Sequence, residues 1–242
     1  MSASPKALAA TLSKTTHVES GTDDVELSPA LSGAAAGPVL SDMDTAKTML
    51  DAAEAFVALV SEIPQDAWDR PALGVWDVRS LTGHTARAVT TALDYLHRPA
   101  TAVELRSAAE YLAAGYLVDR SIHEAVAERG VAAGHDLGDE PGEVVETLIG
   151  RLRASIAATE GDPMIMTLLG GMRYSDYLET RTVELVVHTS DLALAVGREP
   201  RLPAAAVARV LHIICDAAML NGRGLAAVRQ LSARDGSAFE LL

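Results

Sequence analysis

The chain of 242 residues is 49% hydrophobic and carries 33 acidic against 20 basic side chains, which gives a formal net charge of −13. This negative charge argues against nucleic acid or an anionic membrane surface as a partner, because phosphate binding needs clustered Lys and Arg. A single cysteine, Cys215, excludes an internal disulfide and a cysteine-based zinc site, and it fits a reducing cytoplasm. No apolar run reaches the length of about 18 residues that a transmembrane helix needs.

Residues 1–40 differ in composition from the rest of the chain. Ser, Thr, Gly, Pro and Ala dominate this segment, and the stretch from Gly33 to Pro38 cannot hold a stable element by itself. A signal peptide would need a longer apolar run and a cleavage site, so we expect a disordered tail. Residues 41–242 are long enough for one sizeable core, and we expect them to form a single domain.

Aromatic residues make up only 4% of the chain and alanine is abundant, which favours packed helices over a β-sandwich. The first predicted helix begins at Ser41 and ends before Pro64. Asp77 is placed to cap the second helix, whose inward stripe carries His84 where a leucine would be expected. The sequence therefore predicts an all-α protein with one unusual polar residue on an inward face.

Glycine and proline residues also mark the ends of the later helices. Residues 103–129 predict one long helix or a pair broken near Gly115, and the glycines from Gly130 onward predict a loop that ends at Pro141. A fourth helix follows, and a long fifth helix covers residues 175–196 and stops at Gly197. The last clear helix begins after Pro203. Helical periodicity with short connections predicts a bundle with added pieces.

The fifth helix carries a polar stripe among aliphatic neighbours. Glu184 and His188 are four residues apart, so their Cβ atoms lie about 5–6 Å from each other, and Asp191 continues the stripe. Burying these groups together costs several kcal/mol unless they have partners, and a metal ion is the simplest common partner. With His84, the pair Glu184 and His188 forms a set of two imidazoles and one carboxylate, which suits a divalent ion that keeps a position open for water or substrate.

Spacing alone leaves simpler interpretations open. His84 could be a core histidine with its hydrogen bonds satisfied. Glu184 could pair with Arg181 on the helix surface, and His188 with Asp191 could form an exposed polar edge.

Two segments resemble the mycothiol-dependent maleylpyruvate isomerase family of the DinB-like superfamily. The segment WDVRSLTGHTARA, from Trp76 to Ala88, is similar to the tryptophan-then-histidine helix start of that family. The segment ELVVHTSDLA, from Glu184 to Ala193, is similar to its E-x-x-x-H-x-x-D-L-A signature. The two segments occur in the family's order, which makes the pair more specific than either one alone.

The resemblance spans about residues 42–225. It implies an up-and-down four-helix bundle of the DinB-like type, with additional helices and a short C-terminal appendage. It also implies a divalent metal, zinc in our prediction, held by His84, Glu184 and His188, and mycothiol or a similar thiol as cofactor or co-substrate. The side chains predicted to support these ligands or contact substrate are Asp191, Arg181, Arg223 and Trp76. Of these, Arg223 is the candidate for binding a carboxylate.

The chain also departs from the family pattern. Ser80 stands where many relatives have an acidic residue, and Thr85 stands where they have leucine. The short segment after Arg223 leaves no room for the additional C-terminal domain of the isomerase, so we do not expect maleylpyruvate as the substrate.

We predict a cytoplasmic, metal-dependent thiol transferase or isomerase, in which the ion activates a small-molecule thiol toward an electrophilic substrate. An external thiol explains a chain with a single cysteine, which we expect to be buried. A hydrolase that uses metal-bound hydroxide is a close relative of this prediction, and a homodimer is kept as a candidate assembly. The alternative is a non-catalytic metal-binding bundle with a structural, sensory or protein-interaction role.

Overall fold

The computed structural model describes residues 42–116 and 120–232, and within these ranges it leaves out the side chains of residues 42–44, 116 and 120–123. The expected tail of residues 1–40 and the predicted cap at Ser41 lie outside the described residues. The described helices are α1 (Asp42–Ser61), α2 (Val78–Tyr95), α3 (Ala108–Tyr116), α4 (Arg120–Asp136), α5 (Pro141–Ala158), α6 (Tyr174–Ala195), α7 (Ala204–Leu220) and α8 (Gly224–Leu231). The prediction of an all-α protein is confirmed.

Two small antiparallel hairpins complete the described structure. The first pairs β1 (Pro71–Leu73) with β2 (Trp76–Asp77), directly before α2, and the second pairs β3 (Met164–Met166) with β4 (Gly171–Arg173), directly before α6. A single 3-10 turn, Gln65–Ala67, precedes the first hairpin. Each hairpin thus leads into one of the two helices that carry the predicted metal ligands.

Four helices form a closed bundle. Helix α1 packs against α5 and α6, and α2 packs against the same two helices. The order around the bundle is therefore α1, α5, α2, α6, with α1 and α2 at opposite corners. Every bundle helix contributes fully buried side chains to one core, among them Phe56, Leu81, Leu152 and Leu185. Burial of this apolar surface is the main stabilising contribution to the bundle.

Helix α2 begins as its sequence predicts. Asp77 has an extended backbone conformation, and its Oδ1 accepts a hydrogen bond of 2.7 Å from the backbone N–H of Ser80. This cap satisfies one of the backbone donors that the first turn of a helix leaves free. Because Trp76 immediately precedes the cap, its indole is held at the same end of α2 as His84.

The predicted loop at Gly130 and Gly134 is wrong, because both glycines lie inside α4. They are needed for close packing instead of for a turn. A Cβ built on Gly83 of α2 would lie 2.1 Å from the backbone nitrogen of Gly134, and one built on Gly134 would lie 2.7 Å from the carbonyl oxygen of Arg79. Helices α2 and α4 therefore cross with their backbones in contact.

The remaining helices agree with the sequence prediction in outline. Within residues 103–129 the structure describes α3 and the first part of α4, and residues 117–119, which decide between one long helix and a broken pair, lie outside the described residues. Helix α6 ends at Gly197, whose φ of 72° is the left-handed conformation expected of a helix terminator. Helix α7 packs against α3 and α6, and α8 packs against α7. Among the described helices, none combines the length and apolar character needed to cross a membrane.

Candidate metal centre

The polar stripe of α6 is held between two buried apolar faces. Val183 and Leu185 flank Glu184 and are 6% and 0% exposed, whereas the side chain of Glu184 retains 32% exposure. The side chain of His188, one turn further along the helix, is 17% exposed. Glu184 and His188 are therefore accessible to a small ligand without lying on an open surface.

His84 reaches the same point from α2. Its Nε2 lies 3.4 Å from Oε2 of Glu184, and Nε2 of His188 lies 3.4 Å from the same oxygen. The three candidate donor atoms all lie within 4.8 Å of one another. In a tetrahedral site with metal–ligand bonds of about 2.0–2.1 Å, two donor atoms are about 3.4 Å apart. The donor types and their spacing therefore fit a divalent ion such as zinc.

The two imidazoles are oriented by different contacts. Nδ1 of His188 lies 3.1 Å from Oδ2 of Asp191, one turn further along α6. When Nδ1 donates its proton to that carboxylate, the lone pair of Nε2 points toward Glu184. Nδ1 of His84 is buried without a hydrogen-bond partner in the described part of the chain, and the ring instead stacks on Trp76 at a centroid distance of 4.3 Å. Packing thus orients His84, and a carboxylate orients His188.

The position of Trp76 depends on α4. Its indole Nε1 donates a hydrogen bond of 3.0 Å to the carbonyl oxygen of Ala127. A Cβ on Gly130 would lie 2.7 Å from that same nitrogen, so only a glycine leaves room for the indole. The glycines of α4 therefore fix the aromatic ring that packs on His84.

The charges of the site favour a cation between its side chains. Burial raises the pKa of Glu184. Hydrogen bonds from His188 and His84 and the charge of Arg181 lower this pKa by more than burial raises it, so the carboxyl titrates well below its usual range. Burial lowers the pKa of His188, but Glu184 and Asp191 raise it more, and the result is a pKa above the usual value. Without a metal, Glu184 is therefore held in its ionised form, and His188 keeps its proton to a higher pH than an unperturbed imidazole does.

A cavity of about 430 Å³ opens onto these groups. Its lining includes His84, Glu184, His188 and Trp76, together with three tyrosines, Tyr95, Tyr111 and Tyr177. This volume falls within the range of about 300–1,000 Å³ that is typical of small-molecule sites. The candidate metal site therefore faces a space of the size of a small-molecule ligand.

Arg181 lies against the tyrosines of this cavity. Its Cζ is 4.7 Å from the ring centroid of Tyr177 and 5.8 Å from that of Tyr111, and its Nε donates to Oγ1 of Thr180. Burial lowers the pKa of Arg181, but Tyr177 and Glu184 raise it more, so the guanidinium remains charged. The close contacts of Glu184 are with the two histidines, which disfavours the simple surface pair with Arg181.

Arg223 does not line this cavity, and its predicted role in binding a carboxylate stays a prediction. The residue is exposed at the start of α8, which packs on α7, and it is absent from the cavity lining. The structure instead places Arg87 and Arg129 in the lining, and the sequence analysis missed both. Arg87 follows His84 by three residues, so helical spacing could have found it, whereas Arg129 reaches the cavity through the packing of α4 on α2, for which the sequence contains no signal.

A second cavity, of about 320 Å³, lies along α1 and α6. Its charged lining includes Glu62 and Arg198, which already form an ion pair with each other. The described lining contains no histidine or cysteine, so this cavity is no candidate for the metal.

The fold and the site define a class of protein, an all-α bundle with a candidate divalent-metal site beside a small-molecule cavity. Residues 49–193 match the family described as the mycothiol maleylpyruvate isomerase N-terminal domain, so the chain belongs to this family. The match includes His84, Glu184 and His188, and it confirms the resemblance seen in the two sequence segments. No curated protein and no solved structure matches the chain.

Proposed function

We propose that the protein is a metal-dependent enzyme that uses mycothiol or a similar low-molecular-weight thiol, as a thiol transferase or isomerase. The observation that carries this proposal is the convergence of His84, Glu184 and His188 beside a cavity of ligand size. Membership of a family described by mycothiol supports the choice of thiol. We take zinc as the metal, since two imidazoles and one carboxylate are among its usual catalytic ligands.

Coordination number favours a catalytic over a structural metal. Structural zinc sites normally have four protein ligands, whereas catalytic sites have three and leave a position for water or substrate. In the described part of the chain, the candidate cluster contains three residues, and Asp191 is directed at Nδ1 of His188. The open position and the adjoining cavity therefore support the enzyme over the non-catalytic bundle.

The nucleophile must come from outside the protein. Cys215 lies on α7 and is absent from the cavity lining, so the chain offers no thiol at the site. When bound, the ion would supply the positive charge that keeps an incoming thiol deprotonated. Asp191 would hold the His188 ring in its ligating orientation, and Trp76 would do the same for His84.

Two other side chains have roles in binding. Burial raises the pKa of the Tyr111 hydroxyl more than Arg181 lowers it, so the phenol stays protonated and can donate a hydrogen bond to substrate. Arg181 stays charged and is placed to contact an anionic group in the cavity. Both residues would position a substrate near the ion without exchanging protons at neutral pH.

The first experiment measures bound metal. We expect purified protein to hold about one divalent ion per chain, and His84→Ala and His188→Ala to lose it. His212→Ala is the control, since His212 is an exposed imidazole on α7 whose Nδ1 contacts its own helix. A wild-type protein that binds no metal even after incubation with zinc would refute the proposal.

The second experiment separates the thiol-dependent enzyme from its alternatives. Cobalt(II) in place of zinc reports a coordinated thiolate by a charge-transfer absorption in the near ultraviolet. We expect this band on addition of mycothiol to wild-type protein and not to His188→Ala. Metal-loaded protein whose spectrum does not respond to any thiol would support a structural or sensory metal site instead.

A further inference from the structure

The cavity at the candidate metal site has a charge opposite to that of the chain. The protein has 33 acidic and 20 basic residues, but among the described residues the cavity lining contains three arginines, Arg87, Arg129 and Arg181, and a single carboxylate, Glu184. A bound divalent ion would add to the excess of positive charge in the cavity. The local potential therefore attracts anions, although the whole molecule repels them.

Two of these arginines lack an anionic partner. In the described part of the chain, Arg153, Arg198 and Arg209 each form an ion pair with a carboxylate. Arg87 and Arg129 form no ion pair with any described residue, even though Arg87 is half-buried. Arg129 is exposed, and the exposed Arg151 also forms no ion pair with a described residue, so the missing partner is not specific by itself. What distinguishes Arg87 and Arg129 is that both line the cavity of the candidate metal ligands, where a ligand can supply the anion.

Both arginines belong to the helices that position His84. Arg87 lies on α2, three residues after His84, and so on the same side of that helix. Arg129 lies on α4 next to Gly130, the glycine that admits the Trp76 indole. The close crossing of α2 and α4 thus brings two guanidinium groups to the cavity that holds the candidate metal ligands.

The remaining lining is aromatic and aliphatic. The ring centroid of Tyr177 lies 5.0 Å from that of Tyr95 and 6.0 Å from that of Tyr111. Leu168, at the tip of the hairpin formed by β3 and β4, lines the cavity and is 62% exposed. Such walls can pack against a planar, apolar group on the ligand.

From these observations we propose that the electrophilic substrate is an aromatic or similarly planar carboxylate whose anionic group is bound by Arg87 and Arg129. This inference rests on the proposed function, since it assigns the substrate class of the same site. The planar body would lie against the tyrosines and Leu168, with its reactive carbon toward His84, Glu184 and His188. Arg87 and Arg129 would then determine specificity.

The test compares binding of two probes that differ only in charge. Isothermal titration of the metal-loaded protein with trans-cinnamate and with its neutral amide measures the contribution of the carboxylate. We expect wild-type protein to bind cinnamate at least about tenfold more tightly than cinnamamide, the ratio typical of a charge-assisted hydrogen bond. Arg87→Gln and Arg129→Gln should each weaken the binding of cinnamate by about tenfold and leave the binding of cinnamamide unchanged.

The matched control is Arg151→Gln. Arg151 is an exposed arginine on α5 that does not line the cavity, so its removal should affect neither probe. Absence of cinnamate binding, equal binding of the two probes by wild type, or equal weakening of both by the cavity variants would overturn the inference.

The anion could instead come from the thiol, and a second pair of probes decides this point. N-acetylcysteine and N-acetylcysteine amide differ by one carboxylate. If Arg87→Gln weakens only N-acetylcysteine and leaves cinnamate binding unaltered, the anion belongs to the thiol and the proposed substrate class is wrong. Metal content is measured in the same samples. Arginine-dependent cinnamate binding in a protein that holds no metal would contradict the proposed function and leave the anion site standing.

Discussion

Glu184 is the residue on which both imidazoles converge, and its surroundings explain how a carboxylate can stay ionised there. The side chains of His84 and His188 both approach Oε2, and Arg181 lies nearby as a permanent cation. Without these partners the ionised form would be costly in a partly buried position. The same partners fix the oxygen at the point where a metal would bind.

Asp191 should control metal affinity through His188. Replacing it with asparagine removes the carboxylate that accepts a hydrogen bond from Nδ1, and we expect metal affinity to fall by about 10–100-fold with the fold intact. Competition with a chelator of known affinity measures this change. Glu146→Gln, on the exposed face of α5, is the control, and an unchanged affinity in Asp191→Asn would contradict the assigned role.

Metal affinity should also depend on pH in a defined direction. His188 must lose its proton to bind metal, and its pKa is raised by Glu184 and Asp191. Affinity should therefore increase with pH above the usual histidine value of about 6.5 and become constant only above the raised pKa. Titrations with zinc across this range, corrected for zinc hydrolysis, test the direction. An affinity that is already constant near the usual value would contradict the raised pKa of His188.

Stability of the metal-free protein should show the opposite slope. The raised pKa of His188 means that its protonated form stabilises the fold below about pH 6.5, and this stabilisation is lost as pH rises through the raised pKa. The lowered pKa of Glu184 means that its ionised form stabilises the fold above the usual pKa of a glutamate, and this stabilisation is lost only as the pH falls through the lowered pKa. Urea unfolding of the metal-free wild type should therefore show a free energy of unfolding that declines as pH rises above about 6.5. His188→Gln should lack this decline.

At the scale of elements, the glycines at the crossing of α2 and α4 are the main test of the packing. Gly83→Ala places a Cβ 2.1 Å from the backbone of Gly134, so one helix must move. We expect a loss of about 2–3 kcal/mol in the free energy of unfolding, as for other overpacked sites, and weaker metal binding because His84 is the next residue. Denaturant titration and metal analysis measure the two effects.

Gly150→Ala is the matched control for that substitution. Gly150 is also helical, on the exposed face of α5, and a Cβ there would have nothing within 4 Å. Alanine should stabilise this position by about 0.5–1 kcal/mol through helix propensity. If Gly83→Ala were as harmless as Gly150→Ala, the backbone contact between α2 and α4 would not exist in solution.

These elements also show which parts of the fold the sequence could predict. The cap at Asp77 and the terminator at Gly197 act within a few residues, so local chemistry reveals them. Gly130 and Gly134 were misassigned because glycine is needed both in turns and where two backbones touch. Only the position of the partner helix distinguishes these two uses, and a single sequence contains no signal for it.

At the scale of the whole molecule, the site also combines features that local sequence reveals with features that only the packing of helices determines. The pair Glu184 and His188 follows from helical periodicity, and the inward position of His84 follows from the stripe on α2. Their convergence depends on α2 and α6 being neighbours in the bundle, which the family resemblance supplied and spacing did not. The position of Arg129 at the cavity depends on how α4 packs on α2, so this arginine could not be found from sequence.

Because the candidate ligands come from α2 and α6, metal binding should stabilise the entire bundle. A ligand that binds only the folded state adds RT ln(1 + [L]/Kd), about 2.7 kcal/mol at a free concentration 100 times the Kd. We expect zinc to raise the unfolding temperature of wild type, and a chelator to reverse the shift. His84→Ala, which separates α2 from the site, should abolish the response, whereas His212→Ala should retain it. An equal zinc-induced shift in His84→Ala and wild type would mean that the ion binds elsewhere, and the two helices would then meet at this site without sharing a metal.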